Sequence, residues 1–259
     1  MNSRLDGRTA VVTGASKGIG LAAVGALARA GATVVAGSRT STRELDALAE
    51  QGTVTWVPVD LGTSTGAEQL VEAAQGRVDV LVNNVGAAPA RPRGFLSVTD
   101  DDWQHVLDIN LLSTVRVTRA ALPLMTEARQ GSIVTVASVN ATLPDPMVID
   151  YSASKAAVVA FSKALSKEVG PQGIRVNTVS PGPVQTDLWL AEGGVAETIS
   201  AAAGVKPRDV VAQAAASTVT GRFSSPEEVA DVILFLAGDL SRNITGSDVI
   251  IDGGFIPTW

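Results

Sequence analysis

Seven short runs rich in Val, Ile and Thr recur along this chain, at residues 9–13, 33–38, 54–59, 78–84, 132–138, 174–180 and 248–253. They are apolar at nearly every position. A strand can be written that way only if both of its faces are covered, as in a parallel sheet between two layers of helix. Longer Ala- and Leu-rich stretches separate them, at 19–30, 101–128, 151–169 and 226–237. The last opens with "SPEEVA" (Ser225 to Ala230), a Ser cap followed by Pro and two acids in the first turn. Strand–helix alternation of this kind implies an α/β fold, a doubly wound sheet with helices on both faces. No linker, repeat or low-complexity tract divides the chain, so residues 1–259 are read as one domain. Residues 186–221, with "EGG" and scattered polar side chains, interrupt the rhythm. They read as an insertion beyond the carboxyl ends of the strands, the place of a substrate lid.

Composition removes several classes of function. With 20 basic against 26 acidic residues, a net charge of −6 and no basic run, neither nucleic acid nor an anionic membrane is an expected partner. There is no cysteine, which excludes thiol catalysis, and the lone histidine, His105, makes a His-based metal cluster or a Ser–His triad hard to build. The opening "MNSRLDGRTAVVTG" lacks the apolar core of a signal peptide, and no apolar run spans a bilayer, so a cytoplasmic location is expected.

Directly after the first run comes "TGASKGIG" (residues 13–20), leading into a helix-patterned stretch. Gly14, Gly18 and Gly20 are spaced G-x3-G-x-G, with Ser16 and Ile19 in the same loop. Such a turn lets backbone approach a pyrophosphate, and the helix start offers its free N–H groups to the anion. A glycine turn without a ligand is the ordinary alternative; its place between a first strand and a first helix favours a dinucleotide. An acid at the end of the second strand usually holds a free ribose 2′-OH. Here the strand ends "AGSRT", with Ser38, Arg39 and Thr40 in that place and Lys17 in the glycine loop. Two cations and a hydroxyl without a carboxylate describe a 2′-phosphate pocket, so NADP(H) is expected over NAD(H). Asp60 and Leu61, ending the third strand, are placed to meet the adenine amino group and ring.

The chain's only tyrosine, Tyr151, lies in "YSASK" with Lys155 one helical turn beyond. Residues i and i+4 share a helix face. A free phenol titrates near ~10; an ammonium beside it favours the phenolate, which would lower that value and yield a general acid or base. Ser138, closing the fifth run, offers a hydroxyl to a carbonyl or alcohol oxygen next to Tyr151. Taken singly, the serine can be a turn former, the tyrosine a packing residue and the lysine a surface charge. Taken together, beside a 2′-phosphate pocket, they describe activation of a C=O or C–OH oxygen while a nicotinamide exchanges hydride with its carbon.

These motifs, with "NNVG" (residues 83–86), Asn110 in "DIN" and "PG" followed by Thr186, resemble the classical short-chain dehydrogenase/reductase family over essentially the whole chain. The resemblance implies a Rossmann-like fold with a seven-stranded parallel sheet and a homotetramer, or a homodimer. It implies Tyr151 as catalytic acid/base, Ser138 as the oxygen-positioning residue, and Lys155 on the nicotinamide ribose. Asn110 would hold a water that links Lys155 to solvent. Asn84, Val85 and Gly86 would line the adenosine ribose, and Pro181, Gly182, Val184 and Thr186 the nicotinamide amide. Lys17 and Arg39 resemble the NADP-preferring members. Val85 departs from the alanine usual there, and the tail with Phe255, Ile256 and Trp259 is similar to a bacterial reductase branch in which it packs across a subunit interface.

The expected substrate lining is Val139, Asn140, residues 143–149, residues 87–95 and the lid with Trp189, a largely apolar set. Arg91 and Arg93 lie nearby, with solvent favoured over the pocket as their place. Three readings follow: an NADPH-dependent reductase of a hydrophobic or cyclic ketone, a 3-oxoacyl-acyl-carrier-protein reductase, and a non-catalytic NADP-binding sensor. A carrier protein would need a basic docking patch, for which Arg129 is available and "KEVGPQG" adds little. A sensor has no physical need for all of Ser138, Tyr151, Lys155 and Asn110.

Overall fold

The computed structural model describes residues 4–257. Its seven strands are β1 (Thr9–Thr13), β2 (Thr33–Ser38), β3 (Val54–Pro58), β4 (Val80–Asn83), β5 (Gly131–Val136), β6 (Ile174–Pro181) and β7 (Asp248–Ile251). They form one parallel sheet in the order β3-β2-β1-β4-β5-β6-β7. The helices are α1 (Gly18–Arg29), α2 (Arg43–Ala49), α3 (Ser64–Glu72), α4 (Asp100–Leu107), α5 (Ser113–Ala128), α6 (Ile149–Val169), α7 (Asp187–Leu190), α8 (Val195–Ala203), α9 (Pro207–Ala216) and α10 (Pro226–Ala237).

The unbroken apolarity of the central strands has a direct structural cause. Val35, Val11, Leu81, Ile133 and Val176 pair in one row across β2, β1, β4, β5 and β6. That row faces a core built with Leu70, Val117, Met125 and Leu165 of α3, α5 and α6. The next row, Ala36, Val12, Val82 and Val134, points the other way, into a core with Val24, Leu27, Ile233 and Leu236 of α1 and α10. Successive side chains alternate faces, and both faces are dry. The outer strands β3 and β7 are only partly buried.

Strand order reverses between β1 and β4, so a crevice opens at the carboxyl ends of these two strands. Helix α10 starts as its sequence requires: the Ser225 hydroxyl accepts from the Glu228 N–H at 3.2 Å, and the Glu228 carboxylate accepts from the Ser225 N–H at 2.8 Å.

The helix-patterned stretch 101–128 holds two helices, α4 and α5, joined by a π turn, Asp108–Leu112, centred on Asn110. Widened turns of this type gather at functional sites. The segment 186–221 contains α7, α8 and α9. Phe255 and Ile256 are partly buried against the molecule, while Trp259 lies outside the described residues. Among the described residues, no helix is long and apolar enough to cross a membrane.

Candidate active site

The glycine loop is held from both sides. Gly14 adopts φ +62°, and a Cβ on Gly20 would sit 2.1 Å from the Gly14 carbonyl oxygen, so the turn closes only with glycine at that helix position. The Thr13 hydroxyl accepts from the N–H groups of Asn84 at 2.8 Å and Val85 at 3.1 Å. The Asn84 carboxamide donates to the carbonyls of Thr13 and Gly14, each at 3.1 Å. Asn84 thus ties the end of β4 to the loop after β1 through its side chain. Thr13, a buried threonine at a strand end, was not singled out by sequence; its position before Gly14 was the available signal. Ser16 is linked to α2, its carbonyl accepting from Thr42 Oγ1 at 2.9 Å, and Ile19 packs onto the core.

At the end of β2, the Ser38 hydroxyl donates to the Thr40 carbonyl at 2.8 Å and accepts from the Trp56 indole N–H at 3.0 Å. Its proton is used within the turn. That turn presents Arg39 and Thr40 to solvent. Lys17, also exposed, pairs with Asp187 of α7 at 3.4 Å. A pair this exposed contributes little and exchanges readily for a better anion. The Asp60 carboxylate accepts from the Gly62 N–H at 2.9 Å, and Leu61 is buried beneath it. Exposed Arg39 and Lys17 at the end of β2 and in the glycine loop, with Ser38 and Arg39 where an acid would sit, fit NADP(H).

The chemical end assembles around α6. Lys155 is buried, and its Nζ donates to the Val136 carbonyl at 2.8 Å, fastening α6 to the end of β5 two residues before Ser138. The same Nζ lies 5.7 Å from the centre of the Tyr151 ring. The Ser138 hydroxyl sits beside the Tyr151 phenol. It also donates to Asn140 Oδ1 and accepts from the Asn140 N–H, both at 3.2 Å. Burial pushes the Tyr151 phenol above its ordinary value, against a smaller opposite pull from the Ser138 hydroxyl. This reverses the expected direction, because burial penalises the charged phenolate and Ser138 offsets only part of that. Burial also lowers Lys155, to about 8.

Asn110, wholly buried in the π turn, accepts from the Ala87 N–H at 3.1 Å through its Oδ1. Its Nδ2 donates to the carbonyls of Ala87 at 2.9 Å and Val106 at 3.0 Å. Both carboxamide protons are therefore engaged, and the Asn110 backbone carbonyl accepts from Thr114 Oγ1 at 3.2 Å. Gly86 lies against this cluster: a Cβ there would be 2.7 Å from Asn110 Oδ1 and 3.5 Å from Lys155 Nζ.

At the end of β6, Pro181 is buried, and Gly182 just beyond it packs tightly on Asp252. The Val184 side chain enters the core. Thr186 folds over the glycine loop, its methyl 3.1 Å from where a Gly18 Cβ would stand. Trp189 stacks edge-on against Phe223, ring centres 5.1 Å apart. Arg93 is exposed, but Arg91 lies neither in solvent nor open to a ligand: it pairs with the buried Asp150 at 2.6 Å and with Asp102 at 2.9 Å. Sequence gave no sign of this network, because its members are 59 and 11 residues from Arg91.

A family model described as enoyl-(acyl carrier protein) reductase matches residues 14–256. A 3-oxoacyl-(acyl-carrier-protein) reductase of Thermotoga maritima is 37% identical over 98% of this chain and 99% of its own. D-threitol dehydrogenase of Mycolicibacterium smegmatis is 38% identical over 97% of this chain and 94% of its own. L-sorbose reductase of Gluconobacter frateurii, solved with NADPH and L-sorbose, superposes with a TM-score of 0.91 at 31% identity, over 100% of both chains. With matches that run nearly end to end, and with hydroxyl, phenol and ammonium converging at the carboxyl edge of the sheet, the chain belongs to the short-chain dehydrogenase/reductase family.

Proposed function

We propose that this protein is an NADPH-dependent reductase that converts a hydrophobic or cyclic ketone into a secondary alcohol. The observation that carries the reading is the convergence of Ser138, Tyr151 and Lys155 at the carboxyl end of β5, with burial shifting the phenol further toward its protonated form. A protonated phenol is a proton donor, which suits the reductive direction. Bound NADPH supplies the hydride that reaches the carbonyl carbon. Ser138 turns its hydroxyl from Asn140 to the substrate oxygen, and Tyr151 donates its proton to that oxygen. Lys155, as the ammonium, stabilises the phenolate left behind. Tyr151 is reprotonated from solvent along a path past Lys155 and the Asn110 carbonyl. Arg39 and Lys17 hold the 2′-phosphate, with Lys17 exchanging Asp187 for it. Residues 186–221 act as the lid over the substrate.

The walls assigned to the substrate carry Leu143, Leu188, Leu190 and Phe95 partly open to solvent, in keeping with an apolar ligand. Reduction of a 3-oxoacyl group on a carrier protein is the second reading, favoured by the activity named for the Thermotoga maritima relative. Arg129 donates to the Pro171 carbonyl at 3.4 Å beside few other cations, a thin patch for an acidic carrier.

The test is NADPH oxidation by purified protein with cyclic ketones, linear β-keto esters and an acyl-thioester mimic, beside Tyr151→Phe. Turnover of the ketones that falls at least about 1,000-fold in Tyr151→Phe, with NADPH binding retained, is expected. Undiminished turnover in that variant refutes the role of Tyr151; preference for the thioester selects the second reading.

A further inference from the structure

The helix that carries Tyr151 and Lys155 begins without a side-chain cap, with Val148 in the capping place. Its first turn is held by Arg91, from the loop after β4. The Arg91 N–H donates to the Met147 carbonyl at 2.7 Å. Arg91 Nη2 and Nε donate to Asp150 Oδ2 at 2.6 and 3.1 Å, and Nη1 donates to Asp102 Oδ1 at 2.9 Å. Asp150 is wholly buried, and its Oδ1 accepts from the Tyr151 N–H at 3.0 Å. Asp102 is fixed in turn, its Oδ2 accepting from the N–H and hydroxyl of Thr99 at the start of α4, at 3.0 and 2.8 Å. One guanidinium therefore joins the β4 loop, α4 and α6, next to the proposed proton donor.

Enclosed ion pairs are a weak source of net stability, because desolvation offsets their attraction. Their directional hydrogen bonds fix geometry well. Breaking this pair leaves the Asp150 carboxylate buried without its cation, one residue from Tyr151. We infer that Arg91 is a positioning residue: through Asp150 it fixes the first turn of α6, and with it the Tyr151 hydroxyl relative to Ser138 and the ketone. The inference rests on the reading of Tyr151 as proton donor. Arg91 touches no reacting atom in this scheme. Misplacing a reacting group by about 1 Å costs about 100-fold in rate.

The experiment compares kcat, KM for the ketone and the NADPH Kd in Arg91→Met, Arg91→Met/Asp150→Asn and Tyr151→Phe. The double variant leaves no buried unpaired charge, so it carries the test if the single one does not fold. We expect both Arg91 variants to lose about 100-fold in kcat, with KM and Kd within about threefold of the parent. Full turnover in the double variant would overturn the inference, since the loss in Arg91→Met would then come from the stray carboxylate. A raised KM with unchanged kcat would overturn it too, placing Arg91 on the substrate. If Tyr151→Phe itself turns over normally, the functional reading fails instead; if Tyr151→Phe is inactive while the double variant is fast, only the positioning role fails.

Discussion

Lys155→Met should separate stability from catalysis at one residue. Burial lowers Lys155 from 10.5 to about 8. At 1.36 kcal/mol per unit, holding the ammonium in place at neutral pH opposes folding by about 3 kcal/mol. Methionine keeps an apolar, unbranched stem and removes the charge. It also loses the 2.8 Å hydrogen bond to the Val136 carbonyl, worth about 1.5–3 kcal/mol from a charged donor. The two contributions nearly cancel, so the cofactor-free variant should lie from about 0 to 1.5 kcal/mol above the parent in unfolding free energy at pH 7. The sign with pH is fixed. Between about 8 and 10.5 the unfolded parent binds more protons than the folded one, so the parent gains stability as pH rises through that window. Any advantage of the variant should shrink there. Urea unfolding of both proteins at pH 7 and near pH 10 measures this, with NADPH oxidation alongside, where turnover should fall at least about 100-fold. A variant destabilised by more than about 2 kcal/mol at pH 7, or a difference independent of pH, would refute the claim that burial of the charge opposes folding here.

Three further outcomes are expected. Replacing Lys17 and Arg39 together by neutral residues should raise the NADPH Kd about 100-fold and the NADH Kd under about threefold, by titration of cofactor fluorescence; equal losses would remove the 2′-phosphate argument. Gly86→Ala pushes a methyl to 2.7 Å from Asn110 Oδ1 and should lower stability by about 1–3 kcal/mol and kcat at least about 10-fold, read by thermal unfolding and steady-state rates. Turnover should decline above pH about 8 as Lys155 loses its proton and the phenolate its support, so a kcat profile flat to about pH 9.5 would show that the ammonium is dispensable.

Sequence by itself determined the layered sheet, because a strand apolar at every position can survive only between two helical layers, and Val11 and Val12 indeed serve opposite cores. It also placed the glycine loop and the Tyr151–Lys155 pair, whose geometry is set locally by a turn and one helical repeat. Contacts distant along the chain were decided only by tertiary structure. The direction of the Tyr151 shift depends on how deeply the phenol is buried, which no spacing encodes. The π turn lodges Asn110 against Gly86 and Ala87, which lies 23 residues earlier and meets it only in the folded chain. Arg91, by pattern a solvent arginine, becomes the grip on α6 because the fold carries Asp150, 59 residues away, beneath it. A buried carboxylate requires a cation, and only the folded chain determines which one reaches it.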